Sequence, residues 1–192
     1  SAASFVQVDL TEIKNKSLAG ADLLGTSFSH SNLSGVNLDD VILVGINFQY
    51  ADLTDQDFTN NVYLLGNDFL FAELSNANFE GRDLANKMLS EVFENKAYLK
   101  NLHALDLAEN LFGQSRNIFI ISTEVRGNDL AVSYVFFNNF SHANLENANF
   151  KNADLELTDF HSANLTNADL EGANLSRSNL NNANLEGAIL DN

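Results

Sequence analysis

The sequence predicts an all-β solenoid, and three observations predict it. From Asn138 to Asn192 the chain repeats every five residues: a small residue, then Asn or Asp, then Leu or Phe, then two mostly polar residues. The same period runs near the start through Leu18, Leu23, Phe28, Leu33, Leu38, Leu43, Phe48, Leu53 and Phe58. Neither regular alternative accommodates it. On a helix the Leu and Phe positions would rotate by about 140° per repeat, and on a strand successive ones would fall on opposite faces. A chain that turns a corner every five residues puts every one of them inside.

Taken in order, residues 1–16 read as an N-terminal cap, because Val6, Val8 and Leu10 alternate with polar neighbours and Ile13 follows. Such a segment covers the apolar end of the first coil. Residues 17–89 form a first repeat block. Two positions before each inward Leu or Phe stand Ala21, Thr26, Ser31, Val36, Val41, Ile46, Ala51 and Gln56, mostly small or β-branched residues that also face inward. One extra residue intrudes at 61–63, and the count resumes at Leu64, Phe69, Leu74, Phe79, Leu84 and Leu89. A bulged corner accounts for it.

Ala163-Asn-Leu-Thr-Asn, Ala168-Asp-Leu-Glu-Gly and Ala173-Asn-Leu-Ser-Arg resemble the consensus A(D/N)LXX of the pentapeptide repeat family, most of all its cyanobacterial members. The resemblance covers about three quarters of the chain. It implies a right-handed quadrilateral β-helix with four pentapeptides per coil, successive coils lying about 4.8 Å apart. Residues about twenty apart then stack in columns: Phe28, Phe48 and Phe69 in one, Phe140 and Phe160 in another.

After Phe79 the small inward position becomes Arg82 and then Lys87, neither of which fits beside a packed axis. Residues 90–117 lose the five-residue count and read as an irregular excursion. Leu84, Met88, Val92, Leu99 and Leu102 approach helical spacing, so some helix is expected there, with a looser coil as the alternative. A second block, 118–192, restarts the count at Ile120, Val125, Leu130 and Val135 and keeps it to Leu190. All of this makes one domain of residues 1–192.

The outside of that second block begins oddly. Phe119, Ile121, Val132, Tyr134, Phe136 and Phe137 stand where later coils carry Asn, Asp, Ser and Glu. So large an apolar patch calls for a cover or a partner, and Leu70 and Phe71, outward on the first block, are expected to join it. At the other end Leu175, Leu180, Leu185 and Leu190 ring the last coil, which is expected to stack on another copy or on further sequence.

Composition excludes more than it assigns. With no Cys there is no disulfide, thiolate nucleophile or Cys-based zinc site. A net charge of −16 repels nucleic acid and anionic membrane, and no apolar run is long enough to span a bilayer. Asp39, Asp40, Asp52, Asp55 and Asp57 form the densest acidic group but match no calcium motif, and the acidic residues of the second block spread over all four faces. His142 and His161 come from successive coils and are expected to be surface neighbours, too few for a fixed metal site. Asn144, Asn164 and Asn184 read as bridges between coils, and Gly20, Gly25, Gly35 and Gly45 as corner residues.

No catalytic, cofactor or metal residue emerges, and the chain is read as non-enzymatic, with no cofactor. The expected function is an interaction scaffold. An unidentified protein partner would be bound through the polar faces, the central excursion or the open C-terminal coil, the last of these also serving homo-oligomers. No direct nucleic-acid contact and no membrane insertion are expected. The resemblance supplies an alternative, a DNA mimic that engages gyrase as quinolone-resistance members do. It leaves the compartment open between cytoplasm and, after loss of a leader, periplasm or thylakoid lumen.

Overall fold

In a computed structural model of the protein, the described residues are 14–21, 23, 25–61, 63–85, 87–88, 118–126, 129–136 and 138–191, with 14, 87–88, 118–126 and 129–136 described as backbone. The chain is a right-handed quadrilateral β-helix. One repeat shows how the corner is made. The Ser31 amide donates to the Phe28 carbonyl at 3.0 Å, closing a four-residue turn whose third residue, His30, has φ 57°. The Phe28 amide then donates to Asn47 at 2.8 Å and the Asn47 amide to Thr26 at 3.0 Å, the ladder of a parallel pair. Among the described coils of the rod, β1 (Ile42–Val44) and β2 (Tyr63–Leu65) lengthen to three residues, paired Leu43 to Leu64. A short turn at Lys14–Lys16, with Asn15 and Lys16 at positive φ of 63° and 45°, precedes the first coil, and residues 1–13 of the expected cap lie outside the described residues.

Four inward columns, one per face, follow from this geometry. In chain order the first face carries Leu18, Leu38, Phe58, Phe79, Phe150 and Leu170, and the second Leu23, Leu43, Leu64, Leu84 and Leu155. The third carries Phe28, Phe48, Phe69, Phe140 and Phe160, and the fourth Leu33, Leu53, Leu74, Leu145 and Leu165. Rings on the third face stack at 5.7, 5.1, 4.7 and 5.2 Å from Phe28 to Phe160, with interplanar angles of 10° or less. They meet the opposite column edge to face, as Phe79 meets Phe140 at 5.6 Å and 84°. The two phenylalanine columns expected from the sequence are therefore one.

Bridges lie 20 residues apart from Ser27 to Asn47 and 21 apart from Asn47 to Asp68, so the extra residue sits within 61–63. Bridges then join Asp68 to Asn139, Glu73 to Asn144, Asn78 to Asn149 and Asp83 to Asp154. The coil ending near Ala85 is continued directly by the coil beginning at Asn138. Arg82 stays in this coil after all: its guanidinium turns to the carbonyls of Thr59 and Asn61, at 3.1 and 2.5 Å.

Between these two coils the sequence reading needs correction. β3 (Lys87–Met88), β4 (Ile118–Arg126) and β5 (Asp129–Phe136) form an antiparallel sheet in the order β3, β5, β4, with Phe119 opposite Val135 and Val125 opposite Leu130. Ile120, Val125, Leu130 and Val135 therefore lie on a hairpin rather than on a coil, and the rod resumes at Asn138 rather than at 118. Leu89 falls outside the described residues, and the last described inward Leu or Phe of the first block is Leu84. A dense run of β-branched and aromatic residues contains apolar side chains at almost any spacing, so a count of five passes through it by chance. The better signal was the dipeptide Gly127-Asn128 between two such runs, a sequence pattern that reads as a hairpin turn. The expected helix within 90–117 lies outside the described residues.

Candidate functional site

Most described corners put one residue into the left-handed region, where a side chain with a Cβ is disfavoured and Gly, Asn and Asp are tolerated best. After the first face the positions are Gly20, Asp40, Gly81, Asn152 and Gly172. After the fourth they are Gly35, Asp55, Asn76, Asn147, Asn167 and Gly187. After the second they begin Gly25, Gly45 and Gly66, with Leu157 and Arg177 further on. The corner after the third face differs in kind: His30, Tyr50, Phe71 and His142 occupy it in four successive coils, at φ 57°, 57°, 57° and 58°.

These four rings form a column on the outside of the rod. His30 stacks on Tyr50 at 4.7 Å, Tyr50 on Phe71 at 5.0 Å and Phe71 on His142 at 4.7 Å, and His161 of the next coil closes on His142 edge to face at 5.5 Å. Tyr50 and Phe71 remain 48% and 44% exposed. Left-handed backbone costs roughly 1–2 kcal/mol at each such residue. Stacking returns about 0.5–1.5 kcal/mol per ring pair. The terms are of one size and opposite sign, so the column adds little to the stability of the rod.

The residues expected to form the interaction surface divide. Phe71 stands in this column and Leu70, half-buried, precedes it. Phe119 and Ile121 lie on β4, and Val132, Tyr134 and Phe136 on β5; Phe137 is outside the described residues. At the far end Leu175, Leu180 and Leu185 are half-buried while Ile189 and Leu190 are 47% and 49% exposed. An open depression of about 540 Å³ lies there, lined by Leu170, Leu175 and Leu190 among others. His142 and His161 are neighbours, and among the described residues no three His, Cys, Asp or Glu side chains are placed to hold a metal ion. Among those residues, too, no helix is long and apolar enough to cross a membrane.

The acidic groups are tied into the surface. Asp39 accepts from Asn60 at 3.1 Å, Asp55 from Asn76 at 2.8 Å and Asp57 from Thr59 at 2.6 Å. Asn164 donates to Asn144 at 2.9 Å, a coil-to-coil bridge of the kind the sequence suggested. Basic side chains are less evenly spread than acidic ones. Lys16 belongs to the first face, Arg82 to the second, Lys151 to the corner between them and Arg177 to the corner after the second. Lys151 bonds Glu171, which raises the ammonium's pKa, while burial lowers that of the Arg82 guanidinium against the opposing charge of Asp83. Among the described side chains no Lys or Arg lies on the third face, the fourth face or the aromatic edge between them.

A family model described as Pentapeptide repeats matches residues 17–43, 139–177 and 158–192, in eight copies. Among solved structures the chain is similar to HetL, a pentapeptide repeat protein involved in heterocyst differentiation regulation in the cyanobacterium Nostoc. The identity is 20% and the TM-score 0.41, over 100% of this chain and 61% of that one. It is also similar to the pentapeptide repeat protein Rfr23 of the cyanobacterium Cyanothece, at 19% identity over 94% and 95% of the two chains, TM-score 0.34. A third is QnrB1, a plasmid-mediated fluoroquinolone resistance protein, at 14% identity over 97% and 72%, TM-score 0.32. No curated protein matches the chain.

Proposed function

Since the chain belongs to the pentapeptide repeat family, we propose that it is a non-catalytic interaction scaffold whose protein partner docks on the aromatic edge between the third and fourth faces. One observation carries this reading. Large rings stand at left-handed positions in four successive coils, where Gly or Asn would serve the rod better, and two of them stay close to half exposed. Bulky rings at left-handed positions that Gly or Asn would fill with less strain point to a working surface.

The test replaces Tyr50 and Phe71 together by Asn, a residue suited to positive φ. Proteins captured from the source organism by the parent rod and by the double variant are compared quantitatively by mass spectrometry. The reading expects the variant to fold and to lose the parent's specific partner; equal capture by a folded variant would remove the edge from consideration.

A further inference from the structure

The aromatic edge also constrains what can lie on it. Its rings follow one another at 4.7, 5.0, 4.7 and 5.5 Å. An α-helix presents one face about every 5.4 Å. A strand presents the same face only every two residues, roughly 6.6 Å, and falls out of step within two rings. Four such spacings cover about 20 Å, the length of a helix of about 13 residues. The flanks add a sign. Asp159 lies on the third face and Asp52, Glu73 and Glu146 on the fourth, all half-buried, with no described basic side chain on either. Asp159, Asp52 and Glu73 already accept bonds from neighbouring Asn, Thr or Ser groups, which holds them in place. A carboxylate has acceptor capacity for more than one such bond.

From this spacing and this charge we propose that the edge binds an amphipathic helix of a protein partner. The helix would lay its apolar stripe along the rings and carry Lys or Arg on both flanks toward the carboxylates. This rests on the docking reading above and adds the chemistry of the partner. Helix recognition of this kind uses apolar anchors one turn apart for affinity. Opposite charge then supplies register and encounter rate.

A synthetic peptide of about 18 residues, with Leu at helical spacing and Lys on both flanks, is the probe, titrated against the full chain at low salt. The expected result is micromolar binding by fluorescence anisotropy with a gain of helicity in circular dichroism, weakened at least about tenfold by Tyr50→Asn with Phe71→Asn. A peptide of the same composition broken by two prolines should bind at least about tenfold more weakly. Equal binding by the double variant would overturn the proposal, since charge dispersed over the rod would then account for the contact. Equal binding of the broken peptide, or none of the intact one, would overturn the helix. In those last cases, loss of the captured partner in the double variant would leave the docking edge standing; retained capture would remove both.

Discussion

Two joints between coils invite comparison. Phe140 and Phe160 lie 20 residues apart and stack at 5.2 Å and 8°; Phe69 and Phe140 lie 71 apart and stack at 4.7 Å and 3°. The backbone bonds agree as well, the Phe140 amide reaching Asp159 at 2.7 Å and the Phe69 amide reaching Asn139 at 2.8 Å. An insertion that contains a three-stranded sheet leaves the ring column beneath it unbroken. Each coil is stabilised by its neighbours in space, whatever the length of chain that joins them.

What differs at the interrupted joint is polar. Asn67 and Asn138, both buried, take the small inward position of the third face in the two flanking coils. Asn138 donates to the carbonyls of Leu64 and Leu84, each at 2.9 Å, and accepts from the Asn67 amide at 3.1 Å. Asn67 in turn donates to Leu43 at 2.9 Å and accepts from the Ile46 amide at 3.0 Å. Leu84 is the last inward Leu or Phe described before the insertion. Its carbonyl is bound again by the Thr158 hydroxyl, at 3.4 Å. These amides stitch the point of departure to the point of return.

The largest effect that would break the equivalence is in the rings. Phe69→Ala and Phe140→Ala should each cost about 3–5 kcal/mol. In urea titrations they should agree with Phe48→Ala to within about 1 kcal/mol; a much cheaper Phe140→Ala would mean that the interrupted joint is the weaker. Next comes the stitch. Asn138→Ala removes the bonds to the Leu64 and Leu84 carbonyls and from the Asn67 amide, and the expected loss is about 2–4 kcal/mol. Thr158→Val, which removes one bond to the same carbonyl, should cost about 1 kcal/mol. Removing residues 87–137 should matter less than either. Asn86 joined to Asn138 restores the count of five, and loop-closure cost changes by only about 0.6 kcal/mol per doubling of length. The shortened rod should unfold cooperatively at a midpoint no lower than the parent's, and a failure to fold would show that the inserted sheet supports the coil.

Much of this was legible from residue spacing alone. Period five fixed the inward columns from Leu18 to Phe58, and a single skipped residue located the bulge at 61–63, because a coil tolerates nothing but Leu or Phe on its axis. The insertion's edges were misread for the converse reason. Val125, Leu130 and Val135 satisfy the same count, yet they belong to a hairpin in which apolar residues recur for another cause. The aromatic edge is not signalled by period five, which reports only the residues that point inward. With 21 added at the bulge and 71 across the insertion, His30, Tyr50, Phe71 and His142 fall on one corner position, and their departure from Gly, Asn and Asp was readable there. Their exposure was not, since it depends on how neighbouring coils and their rings shield them.

The smallest expected stability effect therefore decides the most. If the edge serves a partner and the core alone holds the rod, Tyr50→Asn with Phe71→Asn exchanges lost stacking for relieved strain and changes stability by no more than about 1 kcal/mol. In a thermal scan of this variant the midpoint should move by no more than about 2–4 °C while partner capture is lost. A midpoint that drops steeply with capture intact would contradict the account and make the outer rings a structural spine.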